Sequence, residues 1–178
     1  MLPASLSLRQ RGVVTFLTWL AMVGFDFFLH AGLLSRLYTQ SSPFLLTPDR
    51  AFALIPFGYA SFLLLAIAMV WLVPRLGIRR ASAGFLLGLQ LGSLLWGALV
   101  LGLASISTAS PVLLVGWFIG QTLELALGGA VVGSAIGGTG LRTLAVRVVV
   151  FTLGSFILTV ALQNLGFAAA AKVLVSQP

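Results

Sequence analysis

The sequence predicts an all-helical fold: a polytopic membrane bundle of about five transmembrane helices, forming a single membrane domain over residues 1–178. Three observations predict it. Hydrophobic residues make up 60% of the chain and charged residues only 7%, whereas a soluble domain carries about 25% charged residues. The mean hydropathy is +1.14, too apolar for a chain that must cover its own surface with water-compatible groups. Finally, the apolar stretches are long and do not alternate. Lipid leaves backbone groups no solvent partner, so helices satisfy them where open strands cannot, and a spanning helix needs about 20 apolar residues.

The first span is expected over 12–34. Arg9 and Arg11 precede it, as in a signal peptide. However, the apolar run is long, contains Asp26, and is followed by no small-x-small cleavage pattern, so it reads as an uncleaved helix. The second span is expected over 48–73. Thr47-Pro48-Asp49 supplies a capping hydroxyl, a proline whose missing N–H costs nothing at N1, and an acid at the positive end of the helix dipole. Pro56 predicts a kink inside this helix and Pro74 closes it. The third span covers 81–104. The fourth, 111–136, opens on Ser110-Pro111, a second cap-then-proline signal. The fifth covers 143–171, separated from the fourth by Gly137-Gly138-Thr139-Gly140.

Ten Lys/Arg against three acids give a formal charge of +7. In a soluble chain that balance would suggest nucleic acid, but reading nucleic acid needs a clustered basic face on a water-exposed element. Here the bases flank apolar runs, where they set topology and contact anionic head groups. Arg9, Arg11, Arg75, Arg79, Arg80, Arg142 and Arg147 fall on one side, and Arg36, Arg50 and Lys172 on the other. The positive-inside rule then predicts a cytoplasmic N-terminus, an external C-terminus and an external loop at about 35–47, in a bacterial cytoplasmic membrane. Pro43-Phe44-Leu45-Leu46 in that loop could lie in the membrane interface.

Helix association in lipid depends on close approach over small residues. Gly84, Gly88 and Gly92 recur every fourth residue on the third span. The fourth carries Gly116, Gly120 and Gly128, with Glu124 in the same register, and a second ladder of Gly129, Gly133 and Gly137 one residue round. These are contact stripes, and the pattern leaves open whether they face this chain, a second copy or another protein.

An ionisable group at membrane depth costs roughly 2.5–3.5 kcal/mol and marks a candidate site. Asp26, His30 and Glu124 are such groups, with Tyr59 and Gln121 expected in the same layer, just outward of the membrane centre. Gln163 and Asn164 fall somewhat further out, and Gln90 slightly inward. Asp26 and His30 stand at i, i+4 and share a helix face. A carboxylate there can fix the imidazole tautomer and free the other nitrogen for a proton, a ligand or a metal. Glu124 has no intramembrane cation near it in sequence and is expected to carry its proton. The four tryptophans and Tyr38 read as interfacial or packing residues.

Much chemistry is missing. There are no cysteines, hence no disulfide, thiolate metal site or Cys nucleophile. No GxxxxGK[ST] or HExxH motif occurs, and Gly133-Ser134-Ala135-Ile136-Gly137 is not a nucleophile elbow. With one histidine, a bis-histidine haem within the chain is excluded; only a single axial ligand at His30 to a tetrapyrrole remains. No cofactor is otherwise implied, and no enzyme. The expectations are a non-catalytic subunit or scaffold of a membrane complex, partnered by lipid and by other subunits or copies of itself, or a small proton-linked transporter or channel built on the polar layer.

Overall fold

The computed structural model describes residues 6–39 and 42–169. Among the described residues there is no strand, and there are six α-helices: α1 (Leu8–Phe27), α2 (Ser35–Tyr38), α3 (Pro48–Arg75), α4 (Ala81–Ile106), α5 (Pro111–Ile136) and α6 (Leu141–Asn164). Five stretches are long and apolar enough to cross a membrane, α1 doing so together with the turn that follows it. The expected helical membrane bundle is what the chain forms.

Several boundaries move for identifiable reasons. α1 starts at Leu8 because Ser7 and Gln10 form a reciprocal capping box, which satisfies two first-turn donors. After Phe27 the chain widens into a π turn, Phe28–Leu33, where the Leu34 N–H reaches the Leu29 carbonyl at 2.8 Å. Pro74 does not close α3. A proline near a C-terminus keeps a helical φ and forfeits only one bond, and the helix runs on to Arg75. It is Gly77, at φ +70°, that ends it. The Ile78 N–H bonds the Val73 carbonyl and the Gly77 N–H bonds that of Pro74, the two bonds of a Schellman motif. The same arrangement around Gly166 (φ +75°) stops α6 at Asn164, short of the expected residue 171. Residues 170 and 171, and Lys172, lie outside the described residues. Thr47 and Ser110 do stand at N-cap positions before a proline, but neither hydroxyl caps its helix.

α5 is the centre of the bundle. It packs along α4 on one side and α1 on another, while α1 carries α6 on its far face. α3 sits in the angle between α1 and α5. The main apolar core lies at the end of the bundle that carries the start of α1 and the 76–80 and 137–140 turns. There Val14, Leu17 and Met22 of α1 meet Phe62, Ala66, Met69 and Val73 of α3, Val132 of α5, and Leu144 and Val148 of α6. At the opposite end, which holds the 34–47 loop, α3 leaves the bundle: from Asp49 to Ser61 every residue is exposed except half-buried Tyr59.

The glycine stripes are used within the chain. A methyl on Gly88 would stand 2.6 Å from the Ala126 Cα, and one on Gly92 2.8 Å from the Thr122 Cα. Gly84 likewise abuts the Gly129 backbone, and Gly133 abuts the Arg80 carbonyl. Thus α4 lies backbone to backbone on α5. The other α5 stripe faces α1: Gly116 receives Leu34, Gly120 receives Leu29, and Gly128 receives Met22 and Thr18. Two glycine faces about a quarter-turn apart let α5 hold two neighbours at close range, which is how Glu124 comes to face α1.

Candidate functional site

Asp26 belongs to the last regular turn of α1, and His30 to the π turn that follows. Their i, i+4 relation survives the change of helix type, and Nε2 of His30 lies 3.2 Å from Oδ1 of Asp26. α5 brings Gln121 and Glu124 against them. The Gln121 amide donates to Oε1 of Glu124 at 3.1 Å, and its nitrogen is 3.4 Å from His30 Nε2. One ligand-capable atom from each of Asp26, His30 and Glu124 can be chosen so that all three lie within 4.8 Å of one another.

The opposite ring nitrogen is held from a third element. Nδ1 of His30 is 2.5 Å from the Tyr38 hydroxyl, and that hydroxyl also accepts from the Trp117 indole at 2.7 Å. Burial pushes the Tyr38 phenol above its ordinary range, against the opposing effect of the Trp117 bond, so it stays a neutral donor and acceptor. Phe44, from the loop, packs on Trp117 with ring centroids 6.0 Å apart. The chain therefore runs Trp117–Tyr38–His30–Asp26, with Gln121 and Glu124 alongside.

The π turn is fastened by the far end of α6. A π turn leaves carbonyls displaced from regular i→i+4 partners. Gln163 donates to the Ala31 carbonyl at 3.0 Å, and the Ser35 hydroxyl to that of Gly32 at 2.7 Å. The Ala169 N–H in turn donates to Ser35, and Arg36 donates to the Gly166 carbonyl.

Access is graded. The His30 side chain is 27% exposed and Asp26 13%, while Glu124 is 1% exposed. Beyond Glu124, toward the core, come buried Met22 and Leu125. Oε2 of Glu124 is buried with no hydrogen-bond partner, as are the hydroxyls of Thr18 and Thr122. Among the described residues, Asp26–His30 is the one side-chain ion pair, and no lysine or arginine pairs with either carboxylate. A cavity of about 520 Å³ lies at the other end of the molecule beside Arg11, Trp71, Arg75 and Arg79 and does not touch the cluster.

Of the expected site residues, Asp26, His30, Gln121 and Glu124 come together. Tyr59 stands beside them without joining: its carbonyl accepts from the Trp19 indole at 2.8 Å, and its ring packs toward Phe62. Gln90 and Asn164 are exposed, and Gln163 serves the π turn. Tyr38 and Trp117, expected as interfacial or packing residues, are members of the hydrogen-bonded chain. Their polar tips were the available signal, but Tyr38 is eight residues from His30 and only a break in the helix makes them neighbours. Both ring nitrogens of His30 already have polar neighbours, Asp26 and Gln121 at Nε2 and Tyr38 at Nδ1.

No family model, curated protein or solved structure matches this chain.

Proposed function

We propose that the chain is a small proton-linked transporter whose intramembrane site is Asp26, His30, Gln121 and Glu124, backed by Tyr38. One observation carries this reading: three titratable side chains from two helices converge at a π turn, with no lysine or arginine paired to them among the described residues. Groups so costly to place in lipid mark ion pathways and proton relays, and π turns recur at functional sites. The graded exposure from His30 to Glu124 suits entry from the loop end. Seven arginines at the opposite end would place that end in the cytoplasm of a bacterial inner membrane, making the site outward-facing. Liposomes loaded with a pH-sensitive dye test the reading. Wild-type protein should carry protons or a proton-coupled ion, and Glu124→Gln and Asp26→Asn should each lower the flux at least tenfold. Unchanged flux in both variants would refute it.

A second reading, a non-catalytic subunit of a membrane complex, is favoured by a different observation. The loop-end half of α3, including Phe52, Leu54, Ile55 and Phe57, leaves its apolar side chains exposed among the described residues. The glycine stripes no longer support it, because they are covered by α1, α4 and α5. Native mass spectrometry from mild detergent separates the two: a strict monomer counts against a subunit.

A further inference from the structure

We propose that Asp26, His30 and Glu124 form a binding site for one divalent first-row transition ion of the Mn²⁺ to Zn²⁺ class. This names the cation for the transport reading and rests on it only for the ion's role as cargo.

Four observations converge. Donor separation is the first: bonds of about 2.1 Å to a tetrahedral ion set neighbouring donors roughly 3.4 Å apart. The three donor atoms already lie within 4.8 Å, so rotamer adjustment brings them to a common ion without moving a helix. Charge is the second. Two carboxylates offset the charge of a dication, the imidazole binding as a neutral ligand, and no lysine or arginine competes for them among the described residues. An isolated carboxylate in a low-dielectric interior is costly unless it is paired or holds a metal. Third, Glu124 offers an unused buried atom: Gln121 takes Oε1, while Oε2 has no partner at 1% exposure. Fourth, the histidine is prepared for ligation. Metal-bound histidines typically give their other N–H to an oriented acceptor. Here Tyr38 lies against Nδ1 and is itself fixed by Trp117. In the ion-free state Tyr38 donates to Nδ1, and Nε2–H donates to Asp26. With an ion on Nε2, Nδ1–H donates to the Tyr38 oxygen instead.

The donor set sets the class. Two oxygens and one imidazole nitrogen, with no sulfur, disfavour Cu(I) and suit Mn²⁺, Fe²⁺ or Zn²⁺, while Mg²⁺ prefers all-oxygen octahedra that keep several waters.

The sequence contains one histidine, so protein labelled with ¹⁵N-histidine, its purification tag removed, gives one imidazole. In lipid nanodiscs near neutral pH, Zn²⁺ should bind one per chain by calorimetry and convert that imidazole to the Nδ1–H tautomer. Mn²⁺ should compete and Mg²⁺ should not. Glu124→Gln, which keeps shape, should weaken Zn²⁺ at least a hundredfold, and Tyr38→Phe about tenfold. Unaltered ¹⁵N signals on adding Zn²⁺ would overturn the site, as would equal affinity in wild type and Glu124→Gln. Unfolding of Glu124→Gln is guarded by Asp26→Asn, which must weaken binding in the same way. Zn²⁺ binding without flux would leave this inference standing and remove the transport reading; Glu124-dependent proton flux without Zn²⁺ or Mn²⁺ binding would do the reverse.

Discussion

Placing an alanine at Gly88 tests one of the tight backbone contacts between α4 and α5. The new Cβ would stand 2.6 Å from the Ala126 Cα. Ordinary contact begins near 3.4 Å, so against the Ala126 Cα alone 3.4 − 2.6 leaves 0.8 Å to be made up, and the Leu125 carbonyl oxygen, nearer still, demands at least as much. Neither side can yield locally, because both faces are helical backbone, so α4 must move away from α5 as a unit. A gap of that size forfeits a quarter to a half of the dispersion well for each atom pair along the seam, and overpacking of this kind costs about 1–3 kcal/mol. Alanine also gains about 1 kcal/mol of helix propensity over glycine, which would mask part of the loss. Gly102 removes that ambiguity: it lies on the same helix with nothing within 4 Å of an added Cβ. Subtracting Gly102→Ala from Gly88→Ala cancels propensity and leaves the packing cost, expected at about 2 kcal/mol because the opposing atoms are backbone. Unfolding by dodecyl sulfate in mixed micelles, followed by tryptophan fluorescence, gives both values. Equal stability of the two variants would refute backbone-to-backbone packing of α4 on α5, and with it the argument that the glycine stripes are consumed within one chain.

Other consequences follow from single residues. Ser7→Ala should cost about 1 kcal/mol by removing the capping hydroxyl of α1, read in the same unfolding assay. Gly138, at φ +93°, should lose about 1–2 kcal/mol on replacement by alanine, whereas Gly154→Ala, inside α6 with nothing within 4 Å, should lose nothing. Because the sequence has no cysteine, Thr108→Cys should react with an impermeant maleimide on spheroplasts and Thr143→Cys should not; the reverse labelling would invert the proposed topology. Lowering the pH should weaken Zn²⁺ in calorimetry, since carboxylates and imidazole bind metal only after losing their protons; affinity rising toward low pH would exclude these ligands.

Whether a group could be read from the sequence depended on how local its geometry is. The i, i+4 pairing of Asp26 with His30 needs only a helix, and the four-residue glycine spacing needs only a helix face, so both are visible in one dimension. That Glu124 interrupts its own stripe was the signal that it turns toward a neighbour, and α1 is that neighbour. What covers the stripes is a long-range property, and periodicity is silent on it. The caps show a finer limit. Thr47 and Ser110 occupy the expected positions, but a proline at N1 already removes one orphan donor, and neither hydroxyl bonds the remaining ones. The Schellman glycines were legible only in part: Gly138, whose N–H bonds the Ala135 carbonyl while that of Thr139 bonds Ser134, lies in a glycine cluster, while Gly77 and Gly166 were overshadowed by Pro74 and by the apolar run that continues past Asn164.

The π turn is the element no pattern announced, and the cluster depends on it. In a straight α-helix Tyr38 would rise roughly 12 Å above His30, at 1.5 Å per residue over eight residues, and sit about 80° round the axis. Instead their ring centroids are 5.5 Å apart. The widened turn at Phe28–Leu33 and the break at Leu34 shorten that rise and rotate α2 back over His30. Such a turn is less stable than the α-helix it replaces, so something must hold it. The bonds from Gln163 to Ala31, Ser35 to Gly32 and Arg36 to Gly166 are placed to do so, and two of them tie it to the end of α6. A purely structural buried Asp–His pair would not require that support, since the i, i+4 contact forms in any helix. What the extra anchoring secures is the orientation of the histidine's second nitrogen, which the proposed exchange of a proton or an ion at the first nitrogen would use.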